Sequence, residues 1–170
     1  MITPVNIRAA DAADVGALAS VPLNSALAAF AHIFPAAMPK PTRIGLEKEW
    51  LARLADPEQT VLVAETEDSQ AGVVAYGLTP EVAIAGGILT KLYVAPEHEG
   101  RGIGSRLHDE AVAGLRVSGC TSAHLWVLER NIAARRMYLR RGWKLQPRSK
   151  NLWPGSGILE LCYILDLVGC

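Results

Sequence analysis

Two stretches of the chain carry residue types and spacings suited to shared chemistry. The first, Glu99-Gly100-Arg101-Gly102-Ile103-Gly104-Ser105, follows the apolar run Leu92-Tyr93-Val94 and opens a helical pattern, so its glycines sit where a strand turns into a helix N-terminus. Free N–H groups of a first helical turn, reinforced by the positive end of the helix dipole, hold an anion such as pyrophosphate without any side chain. In the second, Ala134 and Tyr138 stand four residues apart and share a helix face, with Asn131 in the cap position before them. A small residue lets a ligand approach. A phenol on the same face, neutral at physiological pH with a usual pKa of about 10, can give that ligand a proton.

The spacing excludes two other phosphate loops. No Gly-Lys-Ser/Thr follows, as a P-loop requires, and Gly100-x-Gly102-x-Gly104 is not the G-x-G-x-x-G of a dinucleotide fold. A glycine-rich turn alone also serves packing, and Tyr138 alone reads equally as a core tyrosine whose hydroxyl finds a backbone acceptor.

Taken together, the two motifs resemble the GCN5-related N-acetyltransferase (GNAT) family, whose pyrophosphate loop reads Gln/Arg-x-x-Gly-x-Gly/Ala and whose later helix reads Asn-x-x-Ala-x-x-x-Tyr. Glu99 departs from the usual Gln or Arg, and Gly142-Trp143 stands where Gly-Phe or Gly-Tyr is usual. The departure at Glu99 bears only on a side-chain contact, since the backbone amides do not depend on it. The resemblance implies acetyl-CoA as co-substrate, with the pantetheine arm along Leu92, Tyr93 and Val94. The pyrophosphate would lie at Gly100, Arg101, Gly102, Ile103, Gly104 and Ser105, with Asn131, Ala134 and Tyr138 completing the site. It implies direct transfer to a primary amine of a small molecule or peptide, Tyr138 protonating the departing thiolate and a strand amide of Val94 or Tyr93 stabilising the oxyanion. Family members often dimerise, which makes a homodimer a further expectation.

The general base does not follow from the motifs. Many relatives carry a Glu four residues before the position of Leu92, but here that residue is Ile88, and no carboxylate occurs from Ala83 to Pro96. Glu129, at the end of the strand facing the slot, is the substitute, with a water relay as the alternative and His124 and Glu160 as weaker candidates. The missing carboxylate also keeps open a non-catalytic acetyl-CoA-binding module with a sensing role, against which the retained Tyr138 argues. Arg130, Arg135, Arg136, Arg140 and Arg141 crowd one helix; they read as a solvated basic face or, for some of them and with none assigned, as lying near coenzyme phosphates.

The elements that must position these residues follow from periodicity. Val5 to Arg8 alternates as a strand, with Asp11 and Asp14 as caps for an Ala-rich helix. Arg43 to Ala55 reads as a second helix ended by Asp56-Pro57, and Thr60–Ala64 with Ala71–Tyr76 as a hairpin. Ile88–Val94 is a strand, and Gly102 to Val117 is a helix with Ile103, Leu107, Ala111 and Leu115 every four residues, stopped by Gly119. Ser122–Leu128, a helix Asn131–Arg141, a short strand Trp143–Gln146 and a last strand Ile158–Leu167 complete the order β-α-α-β-β-β-α-β-α-β-β. Hairpins with one β-α-β crossover predict an α+β fold, a mixed and mostly antiparallel sheet flanked by helices, with the coenzyme site at the central β-α-β unit. This matches the fold of the resembling family over nearly the whole chain. The acceptor pocket is expected between the irregular Ser20–Thr42 region and a Pro147–Gly157 loop, carrying Phe30, Phe34 and Trp153.

The whole chain bounds the rest. Its 170 residues suit a single N-acetyltransferase domain over 1–170, and half are apolar. Lys plus Arg and Asp plus Glu number 17 each, so no global charge draws it to nucleic acid or to a membrane surface. The uncharged run Val15–Pro39 is interrupted by Pro22, Asn24, His32 and Pro35 and preceded by acids, which argues for a broken, partly buried helix rather than a span or a signal peptide. Cys120, Cys162 and Cys170 show no paired spacing and the four histidines no metal spacing, so reduced thiols, a cytoplasmic setting and no metal are expected.

Overall fold

A computed structural model of the chain describes residues 4–29, 34, 40–79 and 86–168. The alternating segments form β1 (Asn6–Ala9), β2 (Gln59–Glu65), β3 (Gln70–Thr79), β4 (Gly86–Val94), β5 (Ser122–Leu128), β6 (Lys144–Asn151) and β7 (Leu159–Asp166). The helices are α1 (Val15–Ala29), α2 (Arg43–Ala55), α3 (Ile103–Val117) and α4 (Ile132–Arg140). One seven-stranded sheet runs β1-β2-β3-β4-β5-β7-β6, antiparallel throughout except for the β4–β5 pair that α3 bridges. The expected α+β class and the mostly antiparallel sheet are therefore present.

Local signals act as their chemistry predicts. Asp11 caps the short turn Ala12–Asp14, and Asp14 answers with its own carboxylate in a capping box. Thr42 caps α2 through Gly45, and the β2–β3 hairpin closes where Thr66 N–H donates to Ser69. The uncharged run is helical as far as Ala29, with Pro22 inside. Phe30 lies outside the described residues, and Phe34 is half-buried. Among the described residues no helix is long and apolar enough to cross a membrane.

Two apolar layers cover the sheet. On one face Leu107, Ala111 and Leu115 of α3 pack on Leu89, Ala123, Leu125 and Tyr163. On the other, Leu18 of α1 and Trp50 of α2 cover Val61, Val63, Val73 and Ala75. The approach of α3 depends on Gly114, where a Cβ would fall 2.6 Å from the Tyr76 ring.

One expectation is corrected. The short strand ending at Gln146 instead runs to Asn151, so the loop taken to begin at Pro147 begins after β6. The register breaks between Leu145 and Ser149 and then resumes at Ser149 opposite Leu161. Pro147 falls within that irregularity on an edge strand, where a missing N–H costs no ladder bond.

Candidate active site

Parallel pairing of β4 and β5 is short. It joins Gly87, Ile88 and Leu89 to Ala123, His124 and Leu125, and ends there, although β4 continues to Val94 and β5 to Leu128. At the same level β4 carries a bulge: Ala75 pairs with Lys91 but Tyr76 with Leu89, leaving Thr90 over. Thr90 Oγ1 donates to Ala75 O at 3.1 Å and accepts from Arg53 of α2 at 3.1 Å. A bulge adds local twist and bends its strand, here opening β4 from β5.

The ladder decides which amides face that opening. Ala95 N–H donates to Ala71 O at 2.9 Å, one step beyond the Gly72–Val94 register. Bonded and non-bonded pairs alternate in an antiparallel ladder, so Tyr93 also turns its amide to β3, while Leu92 and Val94 turn theirs to the opening. The buried Ser25 hydroxyl of α1 donates to Val94 O at 2.8 Å. This leaves the Val94 N–H and both polar groups of Leu92 available there.

Directly beyond lies the glycine turn. Gly100 and Gly102 have φ of +73° and +78°, with nothing within 4 Å of an added Cβ, so backbone conformation rather than space calls for glycine. Gly102 precedes α3, whose first bond is Arg106 N–H to Gly102 O at 3.1 Å. The amides of Ile103, Gly104 and Ser105 are thereby left without helical acceptors. The Ile103 side chain is buried in the core, and a Cβ at Gly104 would lie 3.3 Å from Val94 Cγ2, so the helix start abuts the end of β4. Glu99 and Arg101 are exposed.

Asn131 caps α4, its side chain accepting from Ala134 N–H at 3.2 Å. Tyr138 is buried, its ring 5.9 Å from that of Trp143 and 6.3 Å from that of His108. Trp143 Nε1 donates to His108 Nε2 at 2.8 Å. His108 must therefore be neutral with its proton on Nδ1, which donates to Asp109 at 2.9 Å, and Asp109 pairs with Arg141 at 2.7 Å. Burial pushes the Tyr138 phenol well above its ordinary pKa, with a further rise from Tyr93, and no hydrogen bond contributes. The hydroxyl is thus a neutral, unspent donor.

Glu129 is exposed at the end of β5, beside a shallow cleft of about 160 Å³ bounded by Leu128, Arg130 and Ser156–Leu159. His124 is fully buried, Ile88 is half-buried in the parallel pair, and Glu160 is half-buried on β7. Trp153 is 38% exposed beyond β6. Arg135, read as part of a solvated face, instead donates to Glu129 O at 2.8 Å and Tyr163 Oη at 3.1 Å, tying α4 to β5 and β7. No sequence signal separates it from its arginine neighbours. The His108–Trp143 pair was equally hidden, its partners lying 35 residues apart.

The sequence profile of the Acetyltransferase (GNAT) family matches residues 27–143. No curated protein matches the chain significantly. Among solved structures, a putative GNAT acetyltransferase from Desulfovibrio desulfuricans aligns with a TM-score of 0.77 at 20% identity, over 96% of this chain and 99% of that one. The PaiA N-acetyltransferase of Thermoplasma acidophilum, solved with coenzyme A, gives 0.76 at 20% identity over 96% and 99%. YncA of Salmonella typhimurium, a putative acetyltransferase solved with its cofactor acetyl-CoA, gives 0.71 at 20% over 96% and 94%. At such identities these likenesses speak for a shared fold.

Proposed function

Because the chain belongs to the GNAT acetyltransferase family, we propose that it transfers the acetyl group of acetyl-CoA directly to a primary amine of a small molecule or peptide. The observation that carries this reading is the continuity of the β4–β5 opening with the free amides at the start of α3. In this reading the pyrophosphate lies on the amides of residues 100–105, and the pantetheine arm runs along Leu92 and Val94. Neighbours of the same fold solved with coenzyme A and with acetyl-CoA support coenzyme binding as such. The Val94 N–H is the amide suited to the oxyanion, since Tyr93 spends its own on β3.

The amine attacks the thioester carbonyl, a C–N bond forms and the C–S bond breaks. An ammonium acceptor gives up two protons in all, one before attack and one as the intermediate collapses. Tyr138 supplies the proton that sulfur gains and is reprotonated from solvent, so one proton is released overall. Glu129, at the water-exposed strand end, takes the acceptor's first proton directly or through water. Holding thioester and amine together supplies much of the acceleration. The reduced Cys120 and Cys162 suit a cytoplasmic setting, where acetyl-CoA is available.

Calorimetric titration with acetyl-CoA, followed by assay of free thiol release across a panel of amines, tests the reading. Binding and amine-dependent release are expected. Binding without release for any amine would favour the sensing module instead.

A further inference from the structure

The sheet face away from α3 and α4 carries a group that coenzyme binding does not use. Glu160 of β7 lies opposite Leu128 of β5 and Lys150 of β6. Its alternate neighbours Leu161, Tyr163 and Leu165 pack into the core under α3, so Glu160 and Cys162 point to the other face, as does Trp126 opposite Cys162. On this face, across the opening, stands Lys91 of β4, paired with Glu49 of α2 at 3.1 Å.

Glu160 is a carboxylate short of partners. Its side chain is 17% exposed, and Lys150 Nζ stands 3.9 Å away, beyond hydrogen-bond reach. Burial raises its pKa against the opposing pull of Lys150 and Lys91, and no hydrogen bond contributes. Removing a carboxylate from water without donors is costly unless a cation completes the site. The same Lys150 ammonium lies 4.2 Å over the Trp126 ring. An aromatic face beside a carboxylate is a cation receptor, and here it holds an alkylammonium from a half-exposed side chain on an edge strand.

We propose that Trp126 and Glu160 form the ammonium site of the acceptor, that Lys150 fills it in the absence of acceptor, and that the acceptor is a flexible primary alkylamine of the lysine side-chain type. This rests on the acetyltransferase reading. Tyr138 packs on the α3–α4 face, and Glu160 lies on the opposite one, on the strand next to β5 and so one strand from the opening; in the proposal coenzyme and amine approach the thioester carbonyl from different sides. An arriving alkylammonium reproduces the contacts Lys150 makes and releases Lys150 to water.

The test uses the full chain with acetyl-CoA, Nα-acetyl-lysine amide as the alkylamine and 4-aminobenzoate as a rigid arylamine, reading thiol release and calorimetric coenzyme affinity. The lysine analogue should be acetylated and the arylamine not. Lys150→Ala removes the competitor and should lower KM for the lysine analogue about two- to fivefold, the scale of an exposed cation–π contact. Glu160→Gln should raise that KM about tenfold or more, as loss of a charge-assisted contact does, with kcat changing less and coenzyme affinity unaltered. Preference for the arylamine, an inert lysine analogue on coenzyme-bound protein, or a KM unmoved in both variants overturns the proposal and leaves coenzyme binding intact. Acetyl-CoA that fails to bind removes the acetyltransferase reading itself.

Discussion

Tyr138 pairs a buried ring with a hydroxyl that makes no hydrogen bond, an arrangement a purely packing tyrosine would not need. In the proposed mechanism its proton is used only as the thiolate leaves, so Tyr138→Phe should leave acetyl-CoA affinity nearly unchanged and lower kcat about a hundredfold or more. Single-turnover kinetics checks this; an unchanged chemical step would make the residue structural. Glu129 is tested by its pH dependence. Glu129→Gln keeps the shape but cannot accept a proton, so activity should fall and the acidic limb of the pH profile should shift if this carboxylate is the base. A profile superimposable on the parent would leave the water relay or a neutral acceptor.

At the level of elements, the site arises where two irregularities meet: the bulge at Thr90, which ends the β4–β5 ladder, and the left-handed glycines that begin α3. Gly102→Asp strains a φ of +78° and sets a carboxylate beside the amides proposed for pyrophosphate. Coenzyme affinity should drop by about tenfold or more, measured by calorimetry on protein whose circular dichroism confirms the fold. Gly114→Ala probes the packing of α3. The new methyl would overlap the Tyr76 ring, so chemical denaturation should show a loss of about 1–3 kcal/mol, typical of overpacking.

Across the whole molecule, acid should weaken the fold through His108. Burial lowers its pKa, Arg141 lowers it further, Asp109 opposes both, and the Trp143 bond requires the neutral ring. The unfolded chain takes up that proton near pH 6.5, the folded chain only at lower pH. Stability is therefore full above pH 6.5 and declines as pH falls toward the folded-state value, by at most about 1.4 kcal/mol per pH unit for one proton. Calorimetric melting between pH 7 and about 5 should show this fall in Tm, and His108→Gln should flatten it. Asp14, held below its usual value by Arg8, adds its loss only in stronger acid.

Features of this chain that depend on near neighbours were legible in the sequence. The glycine turn into α3, the Asn131 cap, the four-residue repeat from Ile103 to Leu115 and the Gly119 and Gly142 stops each follow from backbone chemistry within a few residues. So does the hairpin of β2 and β3, and from the element order followed the mixed sheet. The end of β4–β5 pairing, the bulge opposite Ala75 and Tyr76, and the passage of β6 through Pro147 were not legible, because register is set by strands distant in sequence. The same reason hid the inward turn of the Leu92 and Val94 amides, the bond of Trp143 to His108 and the meeting of Trp126, Lys150 and Glu160. Sequence fixes what a segment of this protein can do locally; only the folded sheet, by bringing remote side chains to one face, decides which of them act together.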